Sequence, residues 1–358
     1  MKTRSLLLSL VGAAAVGAAG LASTPCHADP SSDGFFGSLP NYSHVVLVIE
    51  ENQQEVTIIG NPVAPYTNSL ATGGALITGS WGTEHPSQPN YLDLFSGSDQ
   101  NVYSDSYIFA SNPFSGANLG AELLHHGKTF AGYSEDLPFT GDNVDANAAD
   151  PADPAGTLDY ARKHNPWANW QNDAFPAGVA NQGSNYLPSS VNETLAPWTT
   201  ISTSGAFDTL PSVSVVVPNQ QHDDHGVAGG LSGNALIGAG DTWLQNNISA
   251  YATWAKTHNS LLIVTWDEDD YTATNKIATI FYGAHVRKGQ FPEATHETFV
   301  STINGDGQPS GAPIYVSQRG INHWNVLRTI EDIFHVGHAG ASATSAPITD
   351  VFNHFDVF

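Results

Sequence analysis

Three apolar runs in this 358-residue chain stop at polar side chains able to hold a cation or move a proton. The run at His44–Ile49 ends in Glu51-Asn52, the run at Val213–Val217 leads through Asn219 to His222-Asp223-Asp224-His225, and the run at Leu261–Thr265 leads to Asp267-Glu268-Asp269-Asp270. Carboxylates, an amide and imidazoles gathered on one edge make a hard-to-borderline divalent cation site. Any one cluster is equally well explained as solvated loop charge, whereas three at corresponding strand ends favour a shared site. A fourth segment, His85-Pro86-Ser87-Gln88-Pro89-Asn90-Tyr91, places a hydroxyl at the start of a helix, where free N–H groups and the positive dipole end hold phosphate. Taken alone, the plainer reading of Ser87 is an N-cap.

The elements that must position these residues are legible as short β-branched runs. HVVLVI at 44–49 is the pattern of a strand covered on both faces of a mostly parallel sheet, and similar runs recur at Ala75–Thr78, Thr129–Tyr133, Val213–Val217, Leu261–Thr265 and Ile277–Tyr282. Helix-compatible stretches at Asn90–Phe95, Leu119–His125 and Ala235–His258 lie between several of them. This alternation predicts an α/β three-layer sandwich with a mostly parallel central sheet, in which ligands gather beyond the carboxyl ends of the strands. From about 136 to 211 the chain lacks periodicity and is dense in Asn, Pro, Gly, Ser and Trp. It is expected to be an irregular insertion over the active edge of a single domain spanning 29–358; two domains divided near residue 140 are the alternative. Trp167, Trp170 and Trp198 inside it are read as the insertion's own small core rather than as the lining of a substrate groove.

Composition removes several function classes. Lys and Arg number 11 against 34 Asp and Glu, a formal charge of −23, so nucleic acid and anionic membrane are repelled at long range. A phosphate-bearing substrate must then be captured by local cations or a metal. Residues 1–28, with Lys2 and Arg4 ahead of an apolar, Ala-rich run and Cys26-His27-Ala28 at the end, read as an export signal peptide. Its removal takes the only cysteine, excludes thiolate ligands and nucleophiles, and deepens the charge to −25. No later run reaches the ~18–20 apolar residues of a membrane span, so the mature product is expected to be secreted or periplasmic, without stable membrane insertion.

At the four polar segments the sequence resembles the phosphoesterase family of bacterial phospholipases C and secreted acid phosphatases, within the alkaline-phosphatase-like superfamily. The landmarks are VVLVIEEN at 45–52, IGNPVAPYTNSLA at 59–71, HPSQPNYLDLFSG at 85–97, VPNQQHDDHG at 217–226, IVTWDEDD at 263–270 and NHWNVLRTIEDIF at 322–334. The resemblance implies Glu51, Asn52, Asp267 and Glu268 as ligands of a divalent metal ion, with Ser87 as nucleophile and further ligand. It also implies His222, Asp223, His225 and His323 as the remaining active-site groups, the histidines being the proton donors. Gln53-Gln54-Glu55-Val56 departs from the basic or hydroxylated residue and Asp that commonly follow Glu-Asn in the family. The implied function is an exported, metal-dependent acid phosphatase that hydrolyses phosphomonoesters through a phosphoserine, with about one ion per chain. A phospholipase C acting on phosphodiesters and a non-catalytic, acidic metal-binding protein are the alternatives.

Overall fold

The computed structural model describes residues 39–108, 110–143, 159–174, 184–227, 229–272, 274–292, 298–303 and 314–353. The expected export signal at 1–28, and parts of the expected insertion at 144–158 and 175–183, lie outside them. In chain order the strands are β1 (His44–Glu50), β2 (Ala75–Ile77), β3 (Phe130–Ser134), β4 (Asn192–Thr194), β5 (Val213–Val217), β6 (Ser260–Trp266), β7 (Thr279–Gly283), β8 (Gly289–Phe291), β9 (Thr298–Ile303) and β10 (Ile314–Arg319). The helices are α1 (Glu55–Ile58), α2 (Pro65–Gly73), α3 (Ser87–Ser96), α4 (Leu119–His125), α5 (Leu195–Ser204), α6 (Gly233–Ala255) and α7 (His323–Phe334).

Eight strands form one sheet in the order β4-β3-β5-β1-β6-β7-β2-β8. Strands β4, β3, β5, β1 and β6 are parallel, and β7 runs against both β6 and β2. The sheet is therefore mostly parallel, as the runs predicted. β9 and β10 form a separate antiparallel pair.

β1 shows how the middle layer is covered. Side chains alternate across a strand, so Val45, Leu47 and Ile49 join the core with Leu92 of α3, Leu123 of α4 and Leu327 of α7. Val46 and Val48 join the other core with Leu70 of α2, Trp198 of α5 and Leu244 of α6. Helices thus cover both faces. Trp167 and Trp170 sit in a short 3₁₀ helix, Pro166–Trp170, that follows another at Arg162–His164, and both bury into the first core. Gly132 of β3 makes room for one of them: a Cβ there would stand 2.1 Å from the Trp167 ring.

The parallel arrangement brings the carboxyl ends of β1, β3, β5 and β6 to one edge. Glu50 lies beside Trp266 and Ser134 beside Val217 in register, so the segments that follow emerge together. β2, two antiparallel steps from β6, also ends at this edge and leads to Ser87.

Candidate active site

Ser87 is the first residue of α3, and the N-cap position belongs to Pro86, which has no hydroxyl to cap with. The N-cap reading of Ser87 therefore gives way. Its Oγ, 1% exposed as a residue, lies 2.9 Å from Glu51 Oε2 and 3.2 Å from Glu268 Oε1. One hydroxyl has one proton, so two carboxylates around it supply more negative charge than a hydrogen bond needs.

Local structure explains how Ser87 is held there. Asn90, one turn into α3, accepts from the backbone N–H of Thr83 and of Glu84 and donates to the carbonyls of Glu84 and Pro86 and to Glu268 Oε2. This side chain ties the 83–86 loop to α3 and to the end of β6. His85 Nδ1 lies 2.5 Å from Glu268 Oε2, and Asn275 donates to Glu84 O while accepting from the Asp269 N–H.

Backbone bonds join the end of β1 to the end of β6, Asp267 N–H to Glu50 O, and to the segment after β5, Glu51 N–H to Asp223 O. Asn52 N–H then donates to Asp267 Oδ1 at 3.2 Å. His323, placed at the start of α7 by the Asn322 capping box, lies with Nε2 2.5 Å from the Asp267 carbonyl. Burial pushes its pKa down to about 4, so the neutral ring donates to that carbonyl.

Asp267 and Glu268 both sit well above the usual carboxylate range, first because they are buried and then because of like charge, from Glu51 on both, from Glu268 on Asp267 and from Asp105 on Glu268. Asn52 Oδ1 and Asp267 Oδ2 are buried and have no hydrogen-bond partner among the described residues, and they lie beside the Glu51 carboxylate. Orphaned oxygens in a carboxylate cluster are the donor set a divalent cation satisfies.

The largest difference from the sequence reading is His164, from the aperiodic segment. Its Nε2 lies 2.8 Å from Glu51 Oε1 and its Nδ1 3.1 Å from Asp223 Oδ2, and its ring stacks on Tyr91 at 5.0 Å between centroids. Burial alone would lower its pKa, but the Glu51 charge and the Asp223 bond raise it to about 9. The same contact, acting against burial, holds Glu51 well below the usual range. His164 is thus an imidazolium between two buried carboxylates.

His225 joins this group: Glu51, His164 and His225 have ligand atoms all within 4.8 Å of one another, and the two rings are 5.7 Å apart. Asp223 accepts from the His225 N–H at 2.8 Å. His222 turns elsewhere, its Nδ1 2.8 Å from Glu135 Oε2. Asp269 is buried and receives the Thr272 and Lys276 N–H groups, and Asp270 pairs with Gln54, so both act as supports of the loop.

A hydroxyl at a helix N-terminus, ringed by carboxylates on the carboxyl edge of a parallel sheet, is a site built for phosphoryl or sulfuryl esters, and its class is that of the phosphoester hydrolases. The chain belongs to the Phosphoesterase family, whose model matches residues 60–337, a span that holds Ser87, Asp267, Glu268 and His323 and begins just past Glu51-Asn52. It is 38% identical over 318 residues to the phosphatidylinositol-3-phosphatase of Mycobacterium tuberculosis, covering 88% of this chain and 84% of that one. It is 26% identical over 251 residues to the phosphate-repressible acid phosphatase of Penicillium chrysogenum, covering 68% of this chain and 54% of the fungal one. Among solved structures, a Vibrio parahaemolyticus protein of the alkaline phosphatase superfamily superposes with a TM-score of 0.50 at 11% identity, covering 87% of this chain and 74% of that one, a likeness of fold. The chain is a phosphoester hydrolase with an alkaline-phosphatase-like fold, and the non-catalytic alternative gives way.

Proposed function

We propose that this hydrolase is an exported, metal-dependent acid phosphatase acting on phosphomonoesters through a phosphoserine at Ser87. The observation that carries the reading is the Ser87 hydroxyl itself, at the first turn of α3 and within 3.2 Å of both Glu51 and Glu268. The orphaned oxygens of Asn52 and Asp267, beside the Glu51 carboxylate, fit a single divalent ion completed by Glu268 and the Ser87 oxygen. Bound there, such an ion lowers the pKa of the hydroxyl and polarises the phosphoryl group.

The chain's own groups do the rest. Glu51 or Glu268 takes the Ser87 proton, and Oγ forms the new P–O bond while the bond to the leaving alcohol breaks in line. The N–H groups of the first turn of α3 face the charge that develops on the phosphoryl oxygens. The departing alkoxide takes a proton from an imidazolium, for which His164 and its neighbour His225 are the candidates. His323 positions Asp267. His222, paired with Glu135, stands at the rim as a further donor. Water then hydrolyses the phosphoserine.

The relatives named above are called phosphatases, which favours monoesters over the phosphodiesters of a phospholipase C. Export rests on residues 1–28, and no helix among the described residues is long and apolar enough to cross a membrane. Residues 29–358 are taken as one domain with an insertion at about 136–211, a reading supported by Trp167 and Trp170 packing into the main core rather than one of their own. The test is a substrate panel with purified protein and added divalent metal. Release of phosphate from p-nitrophenyl phosphate, absent in Ser87→Ala, together with no cleavage of phosphatidylcholine, is the expected result; the reverse preference overturns it.

A further inference from the structure

We infer that Lys163 is the cation that captures the substrate's phosphoryl group beside Ser87, and that Asp105 is a resident anion holding that place until substrate displaces it. The inference rests on Ser87 being the nucleophile and goes beyond it to how the site attracts and admits an anion.

The geometry is that of a carboxylate bound as an anion at a helix N-terminus. Asp105 Oδ1 accepts the backbone N–H of Gln88, the residue after Ser87, at 3.0 Å. Its Oδ2 lies 2.7 Å from Lys163 Nζ. The turn that carries Asp105 is fastened to the same residue, since Gln88 Nε2 donates to the carbonyls of Ser104 and Ser106 at 2.8 and 2.9 Å. A phosphoryl group bonded to Ser87 Oγ brings its oxygens to the first free N–H groups of α3. One of these is engaged by Asp105.

Lys163 is placed to matter. Its side chain is 19% exposed, it adjoins His164 in the short 3₁₀ helix Arg162–His164, and its charge acts on Glu51, Asp267 and Glu268 together. In a chain with 11 basic residues and a charge of −23, an anionic substrate needs such a cation at the site itself. Asp105 now neutralises it, and the Asp105 charge also acts on Glu268. A phosphoryl group and Asp105 cannot both occupy these donors, because like charges would share one ammonium and one N–H. Asp105 is the partner able to leave. Its side chain is 32% exposed, in a solvent-facing turn, and exposed ion pairs are weakly held. Lys163 and the Gln88 N–H then pass to the substrate.

The experiment measures inorganic phosphate binding by calorimetry, and KM and kcat for p-nitrophenyl phosphate, in wild type, Asp105→Asn, Lys163→Met and the double variant. Asp105→Asn should bind phosphate about three- to tenfold more tightly and lower KM without raising kcat, while Lys163→Met should weaken phosphate binding about tenfold or more. In the Lys163→Met background the effect of Asp105→Asn should shrink to less than about twofold, because the two share one site. Weaker phosphate binding in Asp105→Asn would make Asp105 a mere brace for Lys163 and overturn the inference, as would unchanged binding in Lys163→Met. A wild type that binds phosphate but hydrolyses no phosphomonoester defeats the proposed function alone, and the calorimetric comparison still decides the pair.

Discussion

Replacing His164 by Asn should remove the charge that keeps Glu51 an anion. The three side chains His164, Glu51 and Asp223 are 2% exposed or less, with contacts of 2.8 and 3.1 Å. Taking one partner from a buried ion pair costs about 3–5 kcal/mol, part of which is recovered when a remaining carboxylate takes up a proton. A net loss of about 2–4 kcal/mol at neutral pH is therefore expected, read as a fall of several degrees in Tm, and a smaller loss near pH 5, where protonation is easier. A protonated Glu51 does not accept the Ser87 proton and binds a cation only by giving up its own, and the variant also lacks the imidazolium offered as a proton donor to the leaving alcohol, so kcat/KM should fall about 10²–10³-fold. Added divalent cation should recover part of the stability, by replacing the missing positive charge at Glu51, but not the activity. Steady-state kinetics and thermal melts with and without metal make the check. Wild-type kcat/KM in His164→Asn would refute the electrostatic role assigned to this residue.

Burial pushes Asp93 up from 3.8 and Glu331 up from 4.5, each to about 7, so both contribute stability that is fully present below about pH 4 and lost as pH rises through 7. Tm should therefore be higher at pH 5 than at pH 8, and Glu331→Gln, which keeps an acceptor for the Ala339 N–H, should flatten that slope; a steeper slope in the variant would contradict the assignment. Exhaustive chelation should abolish hydrolysis, and activity should return with about one equivalent of divalent metal per chain, as counted by metal analysis of the reconstituted protein. Gly132→Ala should destabilise the fold by about 3 kcal/mol or more, since its Cβ meets a tryptophan ring packed against β3, and a chemical melt of the variant measures it.

Much of this arrangement was legible in the sequence because it follows from periodicity. The bounds of β5 and of α4 match the apolar pattern residue for residue, and β1 extends it by a single glutamate. The polar ends of β1 and β6 were visible because carboxylates that stop a buried strand are conspicuous. Ser87 was found at the right helix end but for the wrong capping position, since Pro86, not Ser87, precedes the first turn. The antiparallel run of β7 was not readable, because strand direction depends on how the chain returns and leaves no trace in composition. α5 was hidden in the segment that looked irregular: its one buried residue is Trp198, too little for a helical period. His164 and Lys163 were missed for the same reason, lying in a three-residue 3₁₀ helix with no pattern to display. The available signal was Arg162-Lys163-His164 itself, three adjacent basic side chains in a chain with few. His85 and Asn90 were inside a quoted landmark, yet their task of clamping the loop to Glu268 depends on contacts between residues 178 or more positions apart.

The most direct test of the central claim is to trap the covalent intermediate. Protein mixed with a phosphomonoester labelled in its phosphoryl group, quenched in acid within the first turnover and digested, should carry label on the peptide that contains Ser87, stable to acid and released by alkali as a serine ester. Ser87→Ala should carry none. Label that survives an alkaline quench but is lost in acid, the behaviour of a phosphohistidine, or full turnover by Ser87→Ala with no label on any peptide, would contradict the phosphoserine mechanism.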